Sequence, residues 1–329
     1  MNLVPLTRLA VSLLAVMVSL LVPGGAGAAQ AYPDKPIRFV IPFPPGSFSD
    51  VSGRLTGQKL SESMGQPVVM DVRPGASGNI GAEIVARAAP DGYTLLINSF
   101  NYVANPGVMP LPFDPIRDFT PISMVADGIP LVMVVSSTSP YKSVQDLIAQ
   151  AKTRKGQLNF ATSGRGTSSH LVLLMLKQLA GVEMNQVPYK GTSQALSALI
   201  GGEITAAVPY LNVGLPQIKA GRLRALAVTG AKRTPSMPEL PTMIEAGFPG
   251  LVITGFAGLL APARTPQPIV ARLHREIVAI GKQQDYIDRL AVFDLQPVAS
   301  TPQEFSKYLA AEIAKWKKVF SDAGEKPGA

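Results

Sequence analysis

Residues Ile37–Leu55 read IRFVIPFPPGSFSDVSGRL, and the order of residue types in them decides the fold class. Ile37–Ile41 is a short apolar, β-branched run, the pattern of a buried strand. Pro44, Pro45 and Gly46 then stop it, because two of them lack a backbone donor and the third tolerates positive φ. Ser47, Ser49 and Asp50 follow, side chains suited to capping a helix start. Val51 and Leu55 open a helix that Gly65 closes. A strand, a tight loop and a helix in this order leave free N–H groups pointing into the loop's mouth. Such a place favours an anion, particularly a carboxylate.

The construction recurs twice. PVVMDV (Pro67–Val72) leads through RPGASGNIG (Arg73–Gly81) into a helix over Ala82–Ala88. LNFAT (Leu158–Thr162) leads through SGRGTSSH (Ser163–His170) into a helix ending near Ala180. Three glycine- and hydroxyl-rich loops, each between a strand and a helix, predict one cleft lined by helix N-termini.

The alternation continues along the chain. Tyr93–Ile97 reads as a buried strand ending in Asn98 and Ser99, and Pro106–Pro121 as an irregular, proline-rich stretch. Leu131–Val135 is a further buried strand, followed by a helix over Ser143–Thr153. Strand Asn159–Thr162, helix Ser168–Ala180, strand Asn185–Val187, helix Thr192–Ile200 and strand Thr205–Val208 come next. After them the pattern gives a helix near Val213–Ala220 and a strand over Arg224–Val228. Strands alternating with helices imply an α/β fold with a largely parallel sheet and ligands at the carboxyl ends of its strands. Two amphipathic helices, Pro266–Lys282 and Pro302–Phe320, end the chain. The second carries Phe305, Leu309, Ile313, Trp316 and Phe320 at helical spacing, a core-facing stripe.

A chain of 329 residues is too long for one small core, and two lobes are expected. The total lack of cysteine excludes disulfides, thiolate chemistry and lipid attachment at an N-terminal cysteine. His170 and His274, the only histidines, are too few for a zinc site. Arg8, the apolar run Leu9–Val22 and the small residues that follow read as an export signal, with cleavage near residues 28–31. The formal charge is +8, and its basic residues are scattered singly rather than interleaved with aromatics. That distribution discounts nucleic acid and leaves a mild attraction for small anions.

Enzymatic motifs are lacking. No Gly-x-Ser-x-Gly elbow occurs, and Ser168 beside His170 does not make a triad. Gly164–Thr167 resembles half of a phosphate loop but lacks its Gly-Lys-Ser/Thr ending, and Ala76–Gly81 is not a dinucleotide fingerprint. Neither a catalytic residue, a cofactor nor a metal is expected.

The motifs YPDKPIR (Tyr32–Arg38), PFPPG (Pro42–Gly46) and RPGASGNIGA (Arg73–Ala82) are followed in order by PDGYTLL (Pro90–Leu96) and VPYKG (Val187–Gly191). GRLRALAV (Gly221–Val228), GLLAP (Gly258–Pro262) and TPQEF (Thr301–Phe305) complete the set. As an ordered set spanning the chain, it resembles the periplasmic solute receptors of tripartite tricarboxylate transporters, the Bug receptors. The resemblance implies a type II periplasmic-binding-protein (Venus flytrap) fold. Residues 1–31 would be the signal peptide, 32–134 with 254–329 the first lobe, and 135–253 the second. Crossovers are expected near Leu131–Ser137 and Ile253–Ala257.

The implied protein is a monomeric, non-enzymatic periplasmic receptor for a mono- or dicarboxylate, serving a membrane permease. Delivery to a sensor kinase is an alternative, as is an α/β enzyme using Asp50 or His170 as acid–base groups. The matching ligand-binding positions are Phe43, Pro45, Gly46, Ser47 and Asp50 in the first loop, and Ser77, Gly78 and Asn79 in the second. Ser99 follows the third strand. Ser163, Gly164, Arg165, Gly166, Thr167 and His170 form the next loop, with Tyr189 and Lys190 nearby. Three departures bear on the ligand. Ser47 stands where the family commonly has a second glycine, and Phe256 where tryptophan is frequent. Arg165 places a cation in a loop usually neutral there, either to engage a second acid group or to face solvent.

Overall fold

The computed structural model describes residues 32–325 and 327; the expected leader and its cleavage sites lie outside the described residues. The first part of the chain builds β1 (Ile37–Ile41), α1 (Phe48–Met64), β2 (Val68–Val72), α2 (Asn79–Ala86), β3 (Thr94–Asn98), α3 (Phe100–Ala104) and β4 (Phe119–Pro130). The middle builds β5 (Val132–Ser136), α4 (Val144–Thr153), β6 (Asn159–Thr162), α5 (Ser168–Ala180), β7 (Asn185–Pro188), α6 (Thr192–Ile200), β8 (Ala206–Ala207), α7 (Leu211–Lys219) and β9 (Leu223–Val228). The chain then adds β10 (Thr254–Pro262), α8 (Gln267–Ile280), α9 (Gln284–Ala291), β11 (Gln296–Pro297) and α10 (Pro302–Asp322).

Two sheets result, in the orders β11-β4-β10-β3-β1-β2 and β7-β6-β8-β5-β9. Each is the centre of an α/β lobe. β1 is covered by helices, which is why its sequence is apolar instead of alternating except at Arg38, which is part-exposed and paired with Asp71. The sheets are mixed, not largely parallel. β1 runs parallel to β2 and β3, and β6 runs parallel to β7 and β8. β10 is antiparallel to both β3 and β4, and β5 is antiparallel to β8 and β9. The mixture follows from the connectivity, because the chain leaves the first sheet along β4 and must re-enter it along β10 in the opposite sense.

β4 ends at Pro130 and β5 begins at Val132, so the chain changes sheets within one residue, Leu131. Val132–Val134, which the sequence division assigns to the first lobe, therefore pair in the second sheet. No turn residue between Leu131 and Val135 marks the change. The return passes from Thr229 to Ile253 and into β10. Thr229 ties the two crossings together. Its Oγ1 accepts from Leu131 N at 2.9 Å and donates to the Ile253 carbonyl at 2.6 Å. The C-terminal helices return to the first lobe: α8 packs on α1 and β4, and α10 on β4 and α3.

Candidate functional site

The loops that leave the strands' carboxyl ends in the two sheets face each other across a cavity of about 920 Å³. From the first lobe come the loops after β1, β2 and β3; from the second, those after β6, β7 and β8. Each runs into a helix, so the first turns of α1, α2, α5, α6 and α7 all open toward the cavity. Backbone N–H groups there have no partner within their own helix, and the helix dipoles favour negative charge.

The local chemistry fixes each loop. Ser47 caps α1 by accepting from Asp50 N, while the Asp50 carboxylate accepts from Gly46 N at 2.9 Å and from Arg54 Nε at 2.9 Å. Asp50 is thus consumed inside its own turn. In the second loop, Asn105 Nδ2 donates to the Ser77 carbonyl at 2.9 Å and to Asn79 Oδ1 at 2.8 Å, holding the turn before α2 from behind. In the β6–α5 loop, Thr167 Oγ1 donates to the Gly164 carbonyl at 2.7 Å, and Ser163 N donates to Ser169 Oγ at 3.0 Å.

The cavity brings together Phe43, Pro45, Gly46, Ser47, Ser77, Gly78, Ser99, Ser163, Thr167 and Lys190. The other expected residues are not part of this lining. His170 is 1% exposed; its Nδ1 accepts from Gly166 N at 3.4 Å and its ring stacks on Phe320 with centroids 5.9 Å apart. Burial pushes the imidazole below its ordinary value of 6.5. Arg165 donates from Nη2 to Glu325 Oε2 at 2.5 Å, pairing the second lobe with the end of the chain. Gly164 and Gly166 shape the loop at φ 103° and 75°. Tyr189 packs half-buried against the core beside β7. Phe256, at the second crossing in the sequence reading, is a core residue edge-on to Tyr308 at 5.1 Å and to Phe305 at 6.3 Å.

Several lining residues were not among the expected ligand contacts. Ser49, Asn101, Ser168, Ser169, Thr192 and Tyr210 all face the cavity. The usable signal was positional: each lies in the first turn after a strand or in the residue just before that turn. Tyr210 stacks on Phe48 across the lobes, ring centroids 6.0 Å apart, and its hydroxyl bonds with that of Ser168. Burial pushes its phenol up to about 12, so it stays protonated near neutrality. Asn101 is 8% exposed, and its Nδ2 is buried without an acceptor. A buried, unsatisfied amide donor costs about 1–3 kcal/mol, which a bound acceptor would recover. Among the described residues, no carboxylate lines the cavity, and Lys190 is its only fully charged side chain.

A sequence profile described as the tripartite tricarboxylate transporter family receptor matches residues 53–324. The chain belongs to that family. Within this receptor family, Protein BugT of Bordetella pertussis is 36% identical over 320 residues, covering 95% of this chain and 98% of the relative. The solved structure of R. palustris Rpa4515 with adipate superposes with a TM-score of 0.84 at 36% identity, covering 90% of this chain and 99% of the other. MatC from Rhodopseudomonas palustris with bound malate superposes at 0.79 with 30% identity, covering 88% and 99%. The receptor family consists of periplasmic binding proteins, and the two α/β lobes conform to that fold.

Proposed function

We propose that this chain is a periplasmic, non-enzymatic receptor that binds a small organic carboxylate and delivers it unchanged to a membrane transporter of the tripartite tricarboxylate type. One observation carries the reading: first turns from both lobes converge on one cavity whose lining, among the described residues, holds no acid. N–H groups and hydroxyls with a helix-terminal field select a carboxylate over a neutral solute. Ser47, Ser77, Ser99, Ser163 and Thr167 would supply the hydroxyls, and the backbone at Gly46 and Gly78 the close approach. The adipate and malate bound to the two structural neighbours are of the same chemical class. Asp50 and His170, the groups an acid–base enzyme would use, are turned into loop contacts behind the cavity.

Thermal denaturation across a panel of organic acids and their matched amides and alcohols tests the proposal. A carboxylate at a hundred times its Kd should add about 2.7 kcal/mol of stability, and mass spectrometry should recover it chemically unaltered. Shifts produced only by neutral solutes, or a converted ligand, would refute it. Delivery is tested separately, by carboxylate uptake into membrane vesicles carrying the transporter, with and without the purified receptor.

A further inference from the structure

One loop of the second lobe is held from several sides by the first. The β6–α5 loop carries Ser163 and Thr167 into the cavity, and Arg165 and Gly166 between them lie against first-lobe residues. Ser77 Oγ, in the loop before α2, donates to the Arg165 carbonyl at 3.5 Å. Gly166 is so close to the turn after α3 that a methyl group on it would come within 2.9 Å of Asn105 and Val108. A further hold comes from the end of the chain. α10 packs on α5, and Phe320 stacks on His170. Glu325 N donates to the Phe320 carbonyl at 2.9 Å, which anchors the acid that follows the helix. Its carboxylate accepts from Arg165 Nη2 at 2.5 Å, and His170 Nε2 stands 3.8 Å away. Because His170 Nδ1 accepts from Gly166 N, the neutral imidazole carries its proton on Nε2, toward Glu325. Both ends of the loop thus lean on one acid of the other lobe, and a hinge motion that opens the cleft must break that ion pair.

We propose that Arg165 and Glu325 form an interlobe latch. Glu325 is a positioning residue that acts through Arg165: it holds the Ser163–Thr167 loop in its closed-cleft place and raises the closed fraction of the receptor. A ligand that needs both lobes binds only the closed form, so its apparent affinity follows that fraction. The Arg165 and Glu325 side chains are 39% and 25% exposed, so the pair is partly shielded and still open to weakening by salt. The latch requires closure of the lobes over a ligand but no particular class of ligand, and so goes beyond the function proposed above.

Interlobe distance, measured by electron spin resonance, tests the latch without any ligand. The chain has no cysteine, so Ser197→Cys on α6 and Ala314→Cys on α10, both exposed, take one spin label each. The ratio of the short to the long distance should fall about three- to fivefold in Glu325→Gln and in Arg165→Gln, the scale of a partly exposed ion pair. The double variant should fall no further than either single one, and Arg165→Glu with Glu325→Arg should restore the ratio. Added sodium chloride should lower the ratio in wild type and leave it unchanged in Glu325→Gln. Calorimetry with adipate should show Glu325→Gln raising Kd by the same factor. Equal distance distributions in wild type and Glu325→Gln would overturn the latch, as would a lowered Tm with an unchanged ratio, the mark of a merely structural role. If adipate and its relatives fail to bind wild type, the carboxylate reading falls and the distance measurement still decides the latch.

Discussion

Gly46 and Gly166 both adopt left-handed backbone, at φ 79° and 75°, but a methyl group would meet different surroundings at each. At Gly46 the position is open, with nothing within 4 Å. At Gly166 it would lie 2.9 Å from Asn105 Oδ1 and 2.9 Å from Val108 Cγ2, both contributed by the first lobe. Gly46→Ala should therefore lose only the backbone term, about 1–2 kcal/mol. Gly166→Ala should lose more and also weaken ligand binding, because the displaced loop carries Ser163 and Thr167. Urea denaturation and calorimetry on both variants check this; equal effects would refute the difference. Gly166 also donates to His170, whose buried imidazole makes a second expectation. Desolvation outweighs the raising influence of Glu325, and Arg165 and Lys177 lower the value further. Below about pH 6.5 the unfolded chain takes up a proton that the native imidazole refuses. Stability present in full above 6.5 should therefore fall as pH drops through the window beneath it. His170→Gln should flatten that slope in pH-dependent denaturation, and an unchanged slope would dismiss the role. Asp50, Asn79 and His170 were legible as polar residues of the right loops. Which way each side chain turned was not, because that depends on partners such as Asn105 and Phe320, distant in sequence.

At the scale of elements, α10 shows what a sequence states openly. Thr301 and Glu304 form a reciprocal capping box, with Glu304 N donating to Thr301 Oγ1 at 3.2 Å and Thr301 N to Glu304 Oε2 at 2.9 Å. Phe305, Leu309, Ile313, Trp316 and Phe320, the stripe read as core, are all buried. Trp316 sits edge-on to Phe100, centroids 5.3 Å apart, and its Nε1 donates to Glu312 at 2.8 Å. Thr301→Ala should cost about 1 kcal/mol and Trp316→Ala about 3–5 kcal/mol, both measured by equilibrium denaturation. A Trp316→Ala loss no larger than that of the cap would contradict the burial. Helices α5 and α6 match the ranges read from the sequence, whereas α1, read from Val51, begins three residues earlier at Phe48. β4 was not read at all, because Pro121, Asp127, Gly128 and Pro130 lie inside it and look like strand breakers. It tolerates them because bulges interrupt its pairing with β10 near Asp127. The eight-residue helix α9 and the two-residue strand β11 escaped for a plainer reason, since so few residues give almost no periodicity to count.

The whole molecule turns on the two crossings, and there a single buried side chain carries more than its size suggests. Thr229 is wholly buried; its N–H donates to the Leu131 carbonyl at 2.9 Å, and its own carbonyl accepts from Ile253 N at 3.0 Å. Its hydroxyl adds the bonds to Leu131 N and the Ile253 carbonyl, so both crossings are fastened to one residue. Movement of one lobe against the other must then be absorbed around Leu131 and Ile253, while the cleft loops travel as parts of their lobes. Thr229→Val keeps the shape and the backbone bonds but leaves Leu131 N–H buried without its acceptor. The expected loss of stability is about 1–3 kcal/mol. No cleft residue changes in this variant, so any loss of affinity would come from the relative position of the lobes. Small-angle scattering distinguishes the two contributions. Wild type should contract when a carboxylate binds, and the variant should contract to the same closed dimensions but at a higher ligand concentration. A variant with wild-type stability would show that the hydroxyl bonds are dispensable. A wild type that binds ligand without contracting would remove the crossings from the mechanism altogether.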